Sequence, residues 1–111
     1  GREDFGDTNL IVGSREEGQS LAAALGSHWA VLMRNHGAVV AGRSLKELVF
    51  RTTALCDNAE IQREAMQMGT AHPLTEREVE LAGAFNLQDL ALDRAWERWV
   101  RRLERAGELP E

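Results

Sequence analysis

His36 is the residue in this sequence whose type and position most clearly suggest chemistry. It lies in a polar break at residues 34–37, between apolar runs at residues 30–33 and 38–41. An imidazole held at a turn between two strands can present a ring nitrogen to a metal ion or a substrate. The alternative is a turn histidine that hydrogen-bonds to local backbone. Spacing alone favours this alternative, because zinc takes three or four ligands and His36 is one.

The other reactive or aromatic side chains favour structural roles. His28 precedes the first apolar run and His72 precedes a proline, so both are expected to be solvated loop residues. Cys56 falls on the apolar stripe of a predicted helix and is interpreted as a small core residue rather than a nucleophile. Trp96 and Trp99 are expected to pack in a core or interface. The arginines around them are interpreted as a solvated helix face, and no catalytic residue is identified.

Composition limits the classes of partner and compartment. The chain has 111 residues, 43% hydrophobic and 28% charged, with a net charge of −5. A negative chain is a poor match for nucleic acid or an anionic membrane, since both are bound through cationic side chains. No apolar run approaches the roughly 20 residues of a membrane-spanning helix. The single cysteine cannot form an internal disulfide, which predicts a reducing, cytoplasmic location.

The elements before the histidine are predicted from local signals. Residues 10–12 form a short apolar run ended by a glycine, which predicts a buried strand. Ser14 and Glu17 have the spacing of a capping box, in which each side chain satisfies a backbone amide of the other. The helix that follows is expected to end at Gly26.

A β-hairpin is predicted across the histidine, because asparagine and glycine tolerate positive φ in its turn. Gly37 is expected to occupy a position that rejects a side chain, through positive φ or close approach to a bound metal. Gly42 is expected to end the second strand.

Three helices are predicted after the hairpin. A long one is capped by Ser44 with Glu47 at the third position, and it ends near Met68. A second begins with a capping box of Thr75 and Glu78. The last places apolar residues on one seam and arginines on the other, with a favourable pair between residues 97 and 101. The apolar arc of the long helix is wider than a helix packed on one side needs.

The whole chain is therefore expected to be one α/β domain portion, residues 1–111, with about three strands and four helices. Three short strands make a poor sheet with open edges. Part of the core is expected to come from a missing N-terminal segment or a neighbouring subunit. The isolated chain should then self-associate or fold poorly.

Several motifs together resemble the C-terminal half of the class II aldolase/adducin family. They are Arg-Asn-His-Gly between two apolar strands, a following Gly42, a Ser44-Leu45 cap, and a long helix with Asn-Ala-Glu at residues 58–60. The preceding strand, helix and Leu-Gly stop also fit. The resemblance covers roughly residues 5–69 and, more loosely, the Trp96 helix.

The resemblance implies a three-layer α/β/α fold, of which this chain is the C-terminal part, assembled as a tetramer. It also implies a divalent metal, zinc foremost and manganese second, held by a His-x-His pair in the first half and by one later histidine. That later ligand corresponds to His36. The chemistry implied is carbon–carbon cleavage of a carbonyl or carboxylate substrate, of the aldolase or decarboxylase type, through a metal-stabilised enolate or enediolate.

This chain departs from the family pattern in two ways. It contains no His-x-His pair, so as an enzyme it would be incomplete alone. It contains no tyrosine, which some aldolases of the family use as a proton donor. The C-terminal helix is more similar to the branch with metal-dependent decarboxylases of hydroxylated aromatic acids. Two alternatives stay open: an adducin-like, non-catalytic interaction domain, and a small stand-alone domain with a structural histidine.

Overall fold

The protein is described here by a computed structural model that covers Gly6 and residues 10–110. In this part of the chain the structure is mixed α/β, with four helices and one two-stranded sheet. In chain order the elements are α1 (Arg15–Leu25), β1 (Ala30–Met33), β2 (Gly37–Val40), α2 (Leu45–Met68), α3 (Glu76–Asn86) and α4 (Asp89–Ala106). They fall into two compact units, Gly1–Ala41 and Gly42–Glu111.

Helix α1 begins with the predicted capping box. The Ser14 hydroxyl accepts a hydrogen bond from the Glu17 amide at 3.1 Å. In return, Glu17 Oε2 accepts from the amides of Gly13 and Ser14 at 2.9 and 3.0 Å. These bonds satisfy amides that a helix start leaves without partners. The helix ends at Gly26, whose φ of 51° lies in the left-handed region that glycine adopts readily.

The prediction of a buried strand at residues 10–12 is wrong. Leu10, Ile11 and Val12 lie outside any strand and are 46%, 61% and 43% exposed. Leu10 has a φ of 65°, which is incompatible with an extended strand. The sheet of the described chain consists of β1 and β2.

The predicted hairpin is confirmed. Strands β1 and β2 are antiparallel, with Ala30 opposite Val40 and Met33 opposite Gly37. The Ala41 amide donates to the Trp29 carbonyl at 2.8 Å and extends the pairing by one step. β2 begins at Gly37, so the loop between the strands has three residues, 34–36.

Helix α2 has the predicted bounds but only half of the expected cap. The Ser44 hydroxyl accepts from the Glu47 amide at 3.2 Å. The Glu47 carboxylate does not return to the cap; it accepts a hydrogen bond from Arg51 Nε at 2.9 Å instead. The helix ends at Gly69, as predicted.

Helix α3 carries the third predicted cap in full. The Thr75 hydroxyl accepts from the Glu78 amide at 3.2 Å, and Glu78 Oε2 accepts from the Thr75 amide at 2.8 Å. The backbone amides that donate to these capping carboxylates stabilise their charged form. The amides of Gly13 and Ser14 lower the pKa of Glu17, and the Thr75 amide lowers the pKa of Glu78.

Helix α4 lies against α2 through its apolar seam. Leu92 is 8% exposed, and the Trp99 ring lies 6.4 Å from the Phe50 ring with the planes tilted by 55°. At the edge of this contact, Lys46 Nζ forms an ion pair with Asp93 at 2.8 Å. Gly107, with a left-handed φ of 69°, ends the helix.

Little of the described chain is fully buried. Leu92 and Glu47 are its two buried side chains, whereas Met68 is 90% exposed, Phe85 70% and Ile61 62%. Within the described residues, much of the wide apolar arc of α2 is therefore uncovered.

Candidate functional site

His36 lies at the end of the hairpin loop, one residue before β2. Its side chain is exposed, and its backbone amide donates to the Met33 carbonyl at 3.2 Å. This bond closes a four-residue turn over residues 33–36, which the two paired strands hold at both ends. The imidazole is thus presented to solvent on a short, hydrogen-bonded loop.

The left-handed residue of this loop is Asn35, with a φ of 57°. Gly37 does not have positive φ, and a Cβ atom built on it would meet nothing within 4 Å. The expectation that positive φ makes Gly37 intolerant of a side chain is therefore wrong. The loop consists of residues 34–36, so Gly37 lies in β2 and pairs in the sheet with Met33.

The other two histidines lie apart from any cluster of ligands. His28 and His72 are both exposed loop residues, as predicted. The His28 ring lies with Nδ1 3.3 Å from the Leu25 carbonyl. Among the described residues, no three His, Cys, Asp or Glu side chains are grouped so that they could hold a metal ion. His36 is thus not part of a three-donor group within this part of the chain.

Cys56 is exposed on α2, so its interpretation as a core residue is wrong. The wide apolar arc explains the error, because α4 covers one side of the helix and Cys56 lies off it.

Trp99 packs against Phe50 as expected. The arginine face of α4 is exposed, and Arg101 lies 3.7 Å from Glu97 in the predicted pair. A surface depression of about 480 Å³ on this face is lined by Arg94, Glu97, Arg98, Arg101, Arg102 and Arg105.

Two features of the second unit were not predicted from the sequence. Glu47 and Arg51 form an ion pair whose side chains are only 12% and 13% exposed. Their four-residue spacing on a helix is the signal that could have identified it. Gly42 approaches α2 so closely that a Cβ atom would lie 2.7 Å from the Leu48 amide nitrogen. Both features fix the start of α2 and lie in a different unit from His36.

No helix among the described residues is both long enough and apolar enough to cross a membrane.

Comparison with known families identifies the class of protein. The family model described as Class II Aldolase and Adducin N-terminal domain matches residues 4–63, more than half of the chain. The matched segment includes the hairpin, His36 and most of α2. The protein belongs to the class II aldolase and adducin family.

Two curated proteins are similar to this chain over most of its length. "Decarboxylase tropJ" of Talaromyces stipitatus is 33% identical over a region that covers 69% of this chain and 32% of that protein. "4-hydroxy-3-prenylphenylpyruvate oxygenase/4-hydroxy-3-prenylbenzoate synthase" of Streptomyces roseochromogenus subsp. oscitans is 31% identical over 73% of this chain and 29% of that protein. The chain therefore spans about a third of the length of these relatives.

Proposed function

We propose that this chain is the C-terminal portion of a metal-dependent, class II aldolase-like lyase, in which His36 supplies one metal ligand. The observation that carries the proposal is the family match across residues 4–63, with an exposed histidine at the end of a paired hairpin inside it. The same resemblance implies the three-layer α/β/α fold, of which residues 1–111 would form one part.

The donor set supports a site shared with residues outside this sequence. One neutral imidazole binds a divalent ion weakly, and the described residues bring no second and third ligand to it. The remaining ligands would come from a His-x-His pair in the first half of the domain. The exposure of His36 suits this role, because its ring is not enclosed by side chains of its own unit.

The reaction we propose breaks a carbon–carbon bond next to a carbonyl or carboxylate. The bound ion would act as a Lewis acid that polarises substrate oxygens and stabilises the developing negative charge. In a decarboxylation, the bond to the carboxylate carbon breaks and carbon dioxide leaves. The electron pair stays on the substrate carbon, which then takes a proton. His36 would hold the metal through a ring nitrogen and would move no proton itself.

The decarboxylase type is favoured over sugar-phosphate aldolase chemistry. One relative is named a decarboxylase, and another is named both an oxygenase of a prenylated hydroxyphenylpyruvate and a synthase of a prenylated hydroxybenzoate. A hydroxylated aromatic acid is therefore the first substrate class to test. The metal would be zinc, with manganese as the second candidate.

Assembly and location form part of the same proposal. Exposed apolar side chains on α2 and α3 support a homo-oligomer, which the family resemblance makes a tetramer. The single cysteine supports a reducing, cytoplasmic location. The second candidate function is an adducin-like interaction domain without a metal, which shares the fold and would use the same uncovered faces.

Substitution of His36 by alanine tests the proposal in the protein that carries both halves of the domain. Bound metal is measured by mass spectrometry of the purified protein, and decarboxylation by carbon dioxide release from a panel of hydroxybenzoic acids. We expect His36→Ala to lose most of the metal and at least about 10–100-fold in activity, because even residues that only orient a ligand have effects of this size. Its fold should change little, since the side chain is exposed.

His28→Ala and His72→Ala are the matched controls, because both histidines are exposed loop residues outside the hairpin turn. Each should keep its metal and activity. If His36→Ala retains full metal and normal turnover, His36 is a turn histidine and the proposal is wrong. A wild-type protein that binds neither zinc nor manganese would favour the adducin-like alternative.

A further inference from the structure

The loop that carries His36 has a defined turn geometry. Its closing bond joins the His36 amide to the Met33 carbonyl at 3.2 Å, and Met33 pairs with Gly37 in the sheet. Residues 33–36 therefore form a turn in which Asn35 is the third residue. Arg34, the second, is not among the described residues with positive φ. Positive φ at the third residue alone is the pattern of a type II turn.

Asn35 is suited to this position by its side chain. Most L-residues avoid a φ near +57°, because the Cβ atom crowds the neighbouring carbonyl. Asparagine and glycine are the residues that type II turns accept there. In the described chain the only other non-glycine residue with positive φ is Leu10, which lies outside the hairpin. The strained backbone position is thus directly next to the candidate ligand.

We infer that Asn35 is a positioning residue for His36, an inference that rests on the proposed metal-binding role of His36. The left-handed backbone at Asn35 sets the direction in which the next residue leaves the turn. It also brings the His36 amide to the Met33 carbonyl, so the imidazole projects from a backbone position that is fixed by a hydrogen bond. Gly37 does not do this, because it lies in β2 with ordinary φ and free space around its Cα.

The inference separates backbone conformation from side-chain chemistry. Asn35→Gly removes the amide side chain but keeps access to positive φ. Asn35→Val introduces a β-branched residue for which positive φ is a genuine outlier. Asn35→Ala is the milder version, for use if the valine variant does not fold. Gly18→Ala, in α1 of the same unit, adds a side chain into open space away from the hairpin loop and serves as the control.

The experiment measures the affinity of the metal-free protein, carrying both halves of the domain, for zinc by competition with a chelating dye. A second readout is hydrogen exchange at the His36 amide, which reports the turn without metal or substrate. We expect Asn35→Val and Asn35→Ala to weaken zinc binding by about 10–100-fold, the range typical of residues that orient a ligand. Exchange at the His36 amide should become faster. Asn35→Gly and Gly18→Ala should stay close to wild type in zinc affinity.

The outcomes distinguish this inference from the proposed function. If His36→Ala loses its zinc while Asn35→Val and Asn35→Ala bind it normally, His36 is a ligand but Asn35 does not position it. Equal loss in Asn35→Gly and Asn35→Val would assign the effect to the amide side chain and overturn the backbone inference. Retention of zinc by His36→Ala overturns the proposed function itself, whatever Asn35 does.

Discussion

In the hairpin loop, the left-handed φ of 57° belongs to Asn35, directly before the exposed His36. The sequence singles out His36 and places it at a hairpin turn, which the structure confirms. It does not distinguish which of Asn35 and Gly37 takes the left-handed φ, because both tolerate it and the register of two four-residue strands decides. The prediction that Cys56 is buried is wrong for a related reason, because its burial depends on which side of α2 a neighbouring element covers.

Gly42 gives the sharpest stability prediction at this scale. An added Cβ would lie 2.7 Å from the Leu48 amide nitrogen and 2.9 Å from its Cα. These are backbone atoms of the first turn of α2, so they cannot rotate away. Gly42→Ala should therefore destabilise the protein by about 1–3 kcal/mol, as overpacking does. Urea unfolding followed by circular dichroism measures the change.

Gly83→Ala is the matched control for Gly42→Ala. It makes the same chemical change inside α3, where a Cβ would meet nothing within 4 Å. Because alanine favours a helix over glycine, this variant should gain up to about 1 kcal/mol. Similar destabilisation in both variants would show that the close approach of Gly42 to α2 is not what matters.

Helices were predictable at the scale of elements because their signals are local. Two of the capping boxes are present in full, and the start and end of α2 lie at the predicted residues. The strand at residues 10–12 was not predictable in this way. A strand needs a partner from another part of the chain, and a short apolar run does not reveal whether one exists. Candidate metal ligands have the same limitation, since their partners are distant in sequence.

Acid should weaken the helix caps before it affects the apolar contacts. The pKa of Glu17 is lowered in the folded state by the Gly13 and Ser14 amides, and that of Glu78 by the Thr75 amide. A lowered folded-state pKa contributes stability above the ordinary glutamate pKa of about 4.3. That contribution is lost as pH falls through the folded-state pKa. The urea midpoint should therefore decrease with acidification below about pH 4.3.

Substitution of the two capping carboxylates tests this origin of the acid sensitivity. In the double variant Glu17→Gln, Glu78→Gln, the two capping side chains no longer ionise as pH rises. The urea midpoint of this variant should therefore depend less on pH than that of wild type. Glu76→Gln with Glu80→Gln is the control, since it removes two exposed carboxylates from α3 that hold no cap. An unchanged pH dependence in the double cap variant would contradict the assignment.

The described part of the molecule has more apolar surface than its own contacts cover. Along α2 and α3, Ile61, Met66, Met68, Val79 and Phe85 are all more than half exposed. Soluble monomers rarely keep large contiguous apolar patches in water. We therefore expect the isolated 111-residue chain to self-associate or to unfold with poor cooperativity. Sedimentation velocity across a concentration series, with urea unfolding of the same samples, distinguishes these states from a compact, cooperative monomer, which would contradict the prediction.

Charge placed on this apolar surface tests its role directly. The double variant Ile61→Lys, Met68→Lys puts two ammonium groups at exposed apolar positions of α2, where burial in an interface would strip their hydration. Gln62→Lys with Gln67→Lys adds the same charge to the same helix at exposed polar positions. We expect the first variant to shift sedimentation toward the monomer and the second to sediment like wild type. An equal shift toward the monomer in both variants would contradict a role for the apolar positions. Net charge alone would act in the opposite direction, because lysines that neutralise part of the −5 charge reduce the repulsion between copies.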